Sequence, residues 1–140
     1  MNIDVTFLNR CITALEQAHT LLIKAEPQSI EYEIYRSASV KEFEIILEQS
    51  GKLLKKVINP YFHSVNAVNK LFFKDIFRHA AQFELITIED TERWLEYRDN
   101  RNNTAHDYGV EFANQTLVLI PQFIIDAKTL ANLISHSKHD

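Results

Sequence analysis

The chain has 140 residues, only two of them Gly and three Pro, and a formal net charge of −4. So little turn chemistry excludes an all-β fold and points to one domain, residues 1–140, built from long helices. The negative balance excludes coating of nucleic acid through bulk charge, so any nucleic-acid site has to be a local basic cleft.

Single residue types exclude more. One Cys, Cys11, leaves no partner for an internal disulfide and no Cys-based metal cluster. Two Gly cannot form a phosphate-binding loop or a dinucleotide fingerprint. The start, MNIDVTFLNR, lacks a basic stretch followed by an apolar core, so no signal peptide is expected. No apolar run approaches the roughly 18 residues that would span a bilayer. Cytoplasmic placement is the expectation.

In chain order, residues 5 to 25 carry Leu8, Cys11, Ile12, Leu15, Ala18, Leu22 and Ala25 at three- and four-residue spacings, which predicts an amphipathic helix ending near Pro27. Cys11 falls on its apolar face and reads as a small buried hydrophobe. Residues 30 to 58 predict a longer helix with Val40, Phe43, Leu47, Leu54 and Ile58 as its stripe, closed by Asn59-Pro60. Gly51 inside it costs about 1 kcal/mol relative to Ala and suits close approach of a neighbouring helix. Glu44 and Glu48 share a face, either as solvated charges or as carboxylates that hold an Arg. Residues 61 to 67 read as a connector. A third helix follows, with Val68, Leu71, Phe72, Ile76, Ala80 and Phe83 inward and Lys70, Lys74 and Arg78 along one edge. Phe72, Phe73 and Phe77 together exceed one buried face, as a subunit contact would require. A fourth helix starts at 87 to 90, with Trp94 and Leu95 in the core. The last spans 110 to 135, with Pro121 expected to kink or restart it. The sum is an all-α, antiparallel bundle of four or five helices.

The chemistry concentrates in residues 94 to 109, WLEYRDNRNNTAHDYG. Asn100, Asn102, Asn103 and Thr104 are poor helix-interior residues, so the fourth helix is expected to stop among them. On a continuous helix Arg101 and Tyr108 share a face, whereas Arg101 and His106 stand about 140° apart. For Arg101 and His106 to act on one phosphate, the backbone has to deviate between them or the partner has to come from another chain. Gly109 permits a left-handed cap after Tyr108. His is the side chain whose ordinary pKa suits acid–base work near neutrality. A guanidinium fork binds phosphate bidentately and stays charged. Arg98, one turn earlier, can add a second phosphate contact, and Asn102 can position the His or a ribose.

Arg101, four residues, His106, one residue and Tyr108 resembles the signature of HEPN domains of the HepT toxin type, and Asn102 after the Arg fits too. A close branch of these proteins carries the description nucleotidyltransferase substrate-binding protein. YRSASVKEFEIILEQSGKLLKK resembles the family's second helix, through Arg36, Phe43, Glu44, Glu48 and residues 52 to 56. KLFFKDIFRHAAQFELI is similar to the next, and Trp94 stands at the usual distance before the motif. The similarity covers about residues 8 to 130. Ser50-Gly51 departs from it, because relatives tend to have an Ala-Trp-like pair there.

The resemblance implies a homodimer whose motifs face a shared cleft. It implies an endoribonuclease toxin with Arg101 and His106 catalytic, needing no metal and no cofactor, acting on RNA. It also implies a small nucleotidyltransferase antitoxin that transfers AMP onto Tyr108. Two other readings compete: a non-catalytic substrate-binding partner subunit of the nucleotidyltransferase, and a helical interaction domain in which the motif only caps a helix.

Overall fold

The structure, a computed structural model, describes residues 2–106 and 110–137, with the side chains of 103–106 and of Phe112 excepted. Among the described residues there are six α-helices, one short 3-10 turn and no β-strand. The all-α expectation holds.

Helix α1 (Thr6–Lys24) begins behind Asp4, whose carboxylate accepts the Thr6 N–H at 2.9 Å. It buries Leu8, Cys11, Ile12, Leu15 and Leu22, the face its spacing predicts. Helix α2 (Ile30–Ile58) has the expected bounds. Ser29 caps it by accepting the Tyr32 N–H at 3.1 Å, with Glu31 and Glu33 at its positive end and Lys55 and Lys56 at its negative end. It packs on α1 and forms the spine against which the later helices lie. A 3-10 turn at Asn59–Tyr61 closes it at Pro60.

The single third helix expected over 68 to 83 is two helices, α3 (Val65–Asn69) and α4 (Phe73–Gln82). Side chains take the backbone groups that a continuous helix would have used. Ser64 accepts the Ala67 N–H at 3.2 Å, and Asp75 accepts the Phe72 N–H at 3.1 Å. Phe72 is therefore not inward: it precedes α4 and is 79% exposed. Lys70 lies off the α4 row. Phe77 is fully buried and Phe73 partly so, which reduces the expected aromatic surplus to Phe72.

Helix α5 (Ile88–His106) starts at the Thr87 hydroxyl, which accepts the Asp90 N–H at 3.0 Å. It does not stop among the Asn residues but runs through His106. Helix propensity is a weak prior that tertiary contacts override. The Asn100 amide donates to the Thr116 hydroxyl of the next helix at 2.7 Å instead of competing for its own backbone.

Helix α6 (Val110–Ser135) continues through Pro121 without restarting. Pro121 is on the exposed side. In length and composition Ala113–Ser135 is apolar enough to cross a membrane, contrary to the expectation that no such segment exists. In this fold it is a core helix: Ile120, Phe123, Ala127, Leu130, Ala131 and Ile134 are buried against α1, α2 and α5. Where α2, α4, α5 and α6 meet, the core is aromatic. Phe43 and Phe123 have ring centroids 4.5 Å apart, Phe77 stacks on Trp94 at 5.0 Å, and Tyr97 meets Phe123 edge-on at 4.9 Å.

Candidate functional site

Helices α2 and α5 cross so that two acidic residues one turn apart face two Arg residues about one turn apart. Arg101 Nε stands 3.7 Å from Glu44 Oε2, and an Arg98 terminal nitrogen stands 3.6 Å from Glu48 Oε1. Of the two readings of Glu44 and Glu48, the structure shows Glu44 facing the motif Arg101, while Glu48 is a solvated charge beside Arg98. Neither distance is that of a hydrogen bond. The carboxylates thus hold the guanidiniums by charge across a gap, and Glu48 itself is 64% exposed. Both Arg side chains are about a quarter exposed, and the Arg101 Nε is buried.

Arg98 has a second support. Its guanidinium carbon lies 5.1 Å from the centroid of the Phe73 ring, in cation–π range. That ring reaches α2 only because position 51 has no side chain: a Cβ on Gly51 would sit 2.7 Å from a Phe73 ring carbon. The close approach predicted at Gly51 is this contact. It accounts for the Ser50-Gly51 departure, since a large residue there would displace Phe73 and, with it, the floor under Arg98.

The remaining site residues fall as follows. Asn102 is exposed on α5 directly after Arg101. His106 is at the last described turn of α5, and Tyr108 and Gly109 lie outside the described residues. Because the backbone is helical from Arg101 to His106, the expected deviation between them is not there. The two positions stay about 140° apart around the axis. The edge row of Lys70, Lys74 and Arg78 is also not formed. Lys74 pairs with Asp99 of α5 at 2.5 Å, Arg78 lies 3.9 Å from Asp75, and Lys70 precedes the helix. Cys11 is buried, and burial together with nearby Glu42 pushes its thiol pKa up, away from nucleophilic use.

A polar cluster that the sequence reading missed lies one turn back along α5. Asp126 of α6, 4% exposed, accepts from Arg93 at 2.8 and 2.9 Å, from the Tyr97 hydroxyl at 2.5 Å and from Gln122 at 3.1 Å. Arg93 also donates to Asp90 at 2.5 Å. Burial alone would raise the Asp126 pKa, but hydrogen bonds from Arg93, Tyr97 and Gln122 outweigh it and hold it below the usual carboxylate range. The Tyr97 hydroxyl is pushed well above its ordinary value by burial and by donating to Asp126. A lone Asp in the most apolar segment of the chain was the available signal. The cluster locks α5 to α6, and it borders a cleft of about 700 Å³ beside the α4–α5 turn that neither Arg98 nor Arg101 lines.

With that geometry in place, the chain can be set beside known proteins. Residues 4–136 match the family described as nucleotidyltransferase substrate binding protein like. The chain belongs to that family. A Haemophilus influenzae protein named probable ribonuclease HepT is 32% identical over 102 residues, covering 73% of this chain and 68% of the relative. A solved Haemophilus influenzae structure, described as the fold of a substrate binding domain of a nucleotidyltransferase, is similar with a TM-score of 0.78 and 27% identity, covering 94% of this chain and 98% of that one. A Thermus thermophilus structure shares the fold at a TM-score of 0.69 and 19% identity, over 89% of this chain and 96% of that one. The resemblance that the HEPN motif carried is therefore the family of this substrate-binding-type chain, and its all-α fold is the family's.

Proposed function

We propose that this family member is a HepT-type endoribonuclease toxin, acting in the cytoplasm, and that a small nucleotidyltransferase silences it by AMP transfer to Tyr108. The observation that carries this reading is the pair Arg98 and Arg101, side by side on α5 and held by carboxylates at 3.6 and 3.7 Å, distances a phosphate can compete with. The relative named probable ribonuclease HepT supports it.

In this reading the Arg101 fork binds the scissile phosphate and stabilises the charge that builds on it. His106 removes the proton from the 2′-hydroxyl. The 2′-oxygen then attacks phosphorus, the bond to the 5′-oxygen breaks, and a proton goes to that leaving oxygen. The product ends in a 2′,3′-cyclic phosphate. Arg98 takes a neighbouring phosphate, and Asn102 orients the ribose. No step uses a metal, so activity persists in EDTA. Since positions 101 and 106 diverge on one helix, a symmetric homodimer supplies Arg101 from one protomer and His106 from the other. In control, the Tyr108 hydroxyl attacks the α-phosphate of ATP and releases pyrophosphate. The new phosphodiester anion and adenosine then occupy the space that RNA needs.

The deciding experiment is RNA cleavage by purified wild type, His106→Ala and Arg101→Lys. His106→Ala lowers the rate by about 10²–10⁴-fold, and Arg101→Lys is also damaging because a point charge cannot replace the fork. Undiminished cleavage by His106→Ala overturns the assignment. Intact mass after incubation with the nucleotidyltransferase and ATP gains one AMP on wild type and none on Tyr108→Phe. The second reading, a non-catalytic substrate-binding partner of the nucleotidyltransferase, is favoured by the description of the similar solved structure. A stable complex without RNA cleavage by either protein would select it.

A further inference from the structure

We infer that single-stranded RNA leaves the Arg98–Arg101 site along α2, over the Phe72 ring, into a lysine-lined cleft at the C-terminal end of that helix. The inference rests on the RNA reading above and adds a binding surface to it.

The face of α2 that meets the motif changes charge along its length. Glu44 and Glu48 face Arg101 and Arg98. The next two turns of the same face bring Lys52 and Lys55, with Lys56 beside them. From Glu48 these residues lie about 6 and 11 Å along the axis, at 1.5 Å per residue. They line a cleft of about 390 Å³ between α2 and α3, together with the amides of Asn59 and Asn69. None of the three lysines has an ion-pair partner among the described residues. In a chain where 19 acidic residues outnumber 15 basic ones, three adjacent surface lysines without carboxylate partners form a local positive patch. Such a patch attracts a polyanion.

Along the chain, an exposed aromatic residue comes between the cleft and the ring on which Arg98 rests. Phe72 is 79% exposed, three residues after Asn69 of the cleft and one before Phe73, on which Arg98 rests. The Asp75 carboxylate holds its backbone, accepting the Phe72 N–H at 3.1 Å. A basic groove that tracks phosphates, combined with a ring on which a base stacks, is the pattern that binds single strands without reading sequence. Chemistry at Arg101 and grip at the lysines are thereby separated by about two to three turns of α2.

The test is equilibrium binding of a labelled single-stranded RNA to the full-length His106→Ala protein, by fluorescence anisotropy over a series of KCl concentrations. Each phosphate contact on a single strand contributes about 0.7 to the slope of log K against log salt. Lys52→Gln/Lys55→Gln/Lys56→Gln therefore flattens the slope by about 2, and Lys24→Gln/Lys41→Gln leaves it unchanged. Phe72→Ala weakens binding about five- to 150-fold at an unchanged slope and an unchanged elution volume. An undiminished slope in the triple lysine variant overturns the inference, as does an equal loss in the control. A shift of Phe72→Ala to a smaller species assigns that ring to subunit pairing and removes it from the path. If wild type cleaves RNA while the lysines prove indifferent, only the path fails. If wild type neither binds nor cleaves RNA, the function reading fails and takes the path with it.

Discussion

Helix α5 uses the same residue type in two ways within three turns. Arg93 forms short hydrogen bonds, 2.8 and 2.9 Å, to a carboxylate that is 4% exposed. Arg98 and Arg101 stand 3.6 and 3.7 Å from carboxylates that water reaches. The lesson is that the partner's burial decides what an arginine does. Where the carboxylate is sealed in, the arginine cannot leave without stranding a buried charge, so the pair is structure. Where it is exposed, water and counterions compete, the pair contributes little to folding, and an incoming anion can replace it.

The largest test of that contrast is Asp126→Asn, which takes the buried carboxylate away from Arg93, Tyr97 and Gln122 while Asp90 still faces Arg93. It should lose about 1–3 kcal/mol of stability, the cost of leaving the buried Tyr97 hydroxyl without its charged acceptor, measured by urea denaturation. A loss comparable to that of a surface pair would show that Arg93 is no better held than Arg98. Next is pH. The folded pKa of Asp126 is depressed, so its contribution is fully present above the ordinary carboxylate value near 4 and is lost as pH falls through the folded value. The Tyr97 pKa is raised, so its contribution is present below about 10 and is lost as pH rises above that. Thermal melting across pH should therefore fall off at both ends, and Asp126→Asn should blunt both losses. The smallest effect belongs to Glu48→Gln. Its stability should change by no more than about 1 kcal/mol, while RNA binds more tightly because a competitor for Arg98 is gone. Weaker RNA binding in that variant would mean that Glu48 presents the guanidinium instead of competing for it.

What the sequence disclosed depended on where the deciding interactions lie. The end of the 30 to 58 helix was legible because Asn59-Pro60 is a local signal. The pairing of Glu44 and Glu48 with the motif was legible as one of two options, since four-residue spacing fixes a face but not what stands opposite. The break at residues 70 to 72 was hidden because Asp75 caps backward onto Phe72 within an otherwise helical pattern. The extension of α5 through His106 was hidden for the opposite reason. Asn100 is satisfied by Thr116, a contact between helices that no local propensity contains. Asp126 was overlooked because its partners, Arg93 and Tyr97, lie 33 and 29 residues away.

The unbroken turn from Arg101 to His106 has a consequence for inheritance. Under the shared-cleft proposal, each chain carries both halves of the chemistry and completes neither alone. A cell holding one allele with Arg101→Ala and another with His106→Ala makes two products that are each inactive as homodimers. Half of the dimers formed by random pairing are mixed, and each mixed dimer has one intact site of two, so about a quarter of wild-type activity returns. Two harmless alleles would then complement into a poison, and co-expression against single expression, scored as colony survival, makes the arrangement of one helix visible as a cross.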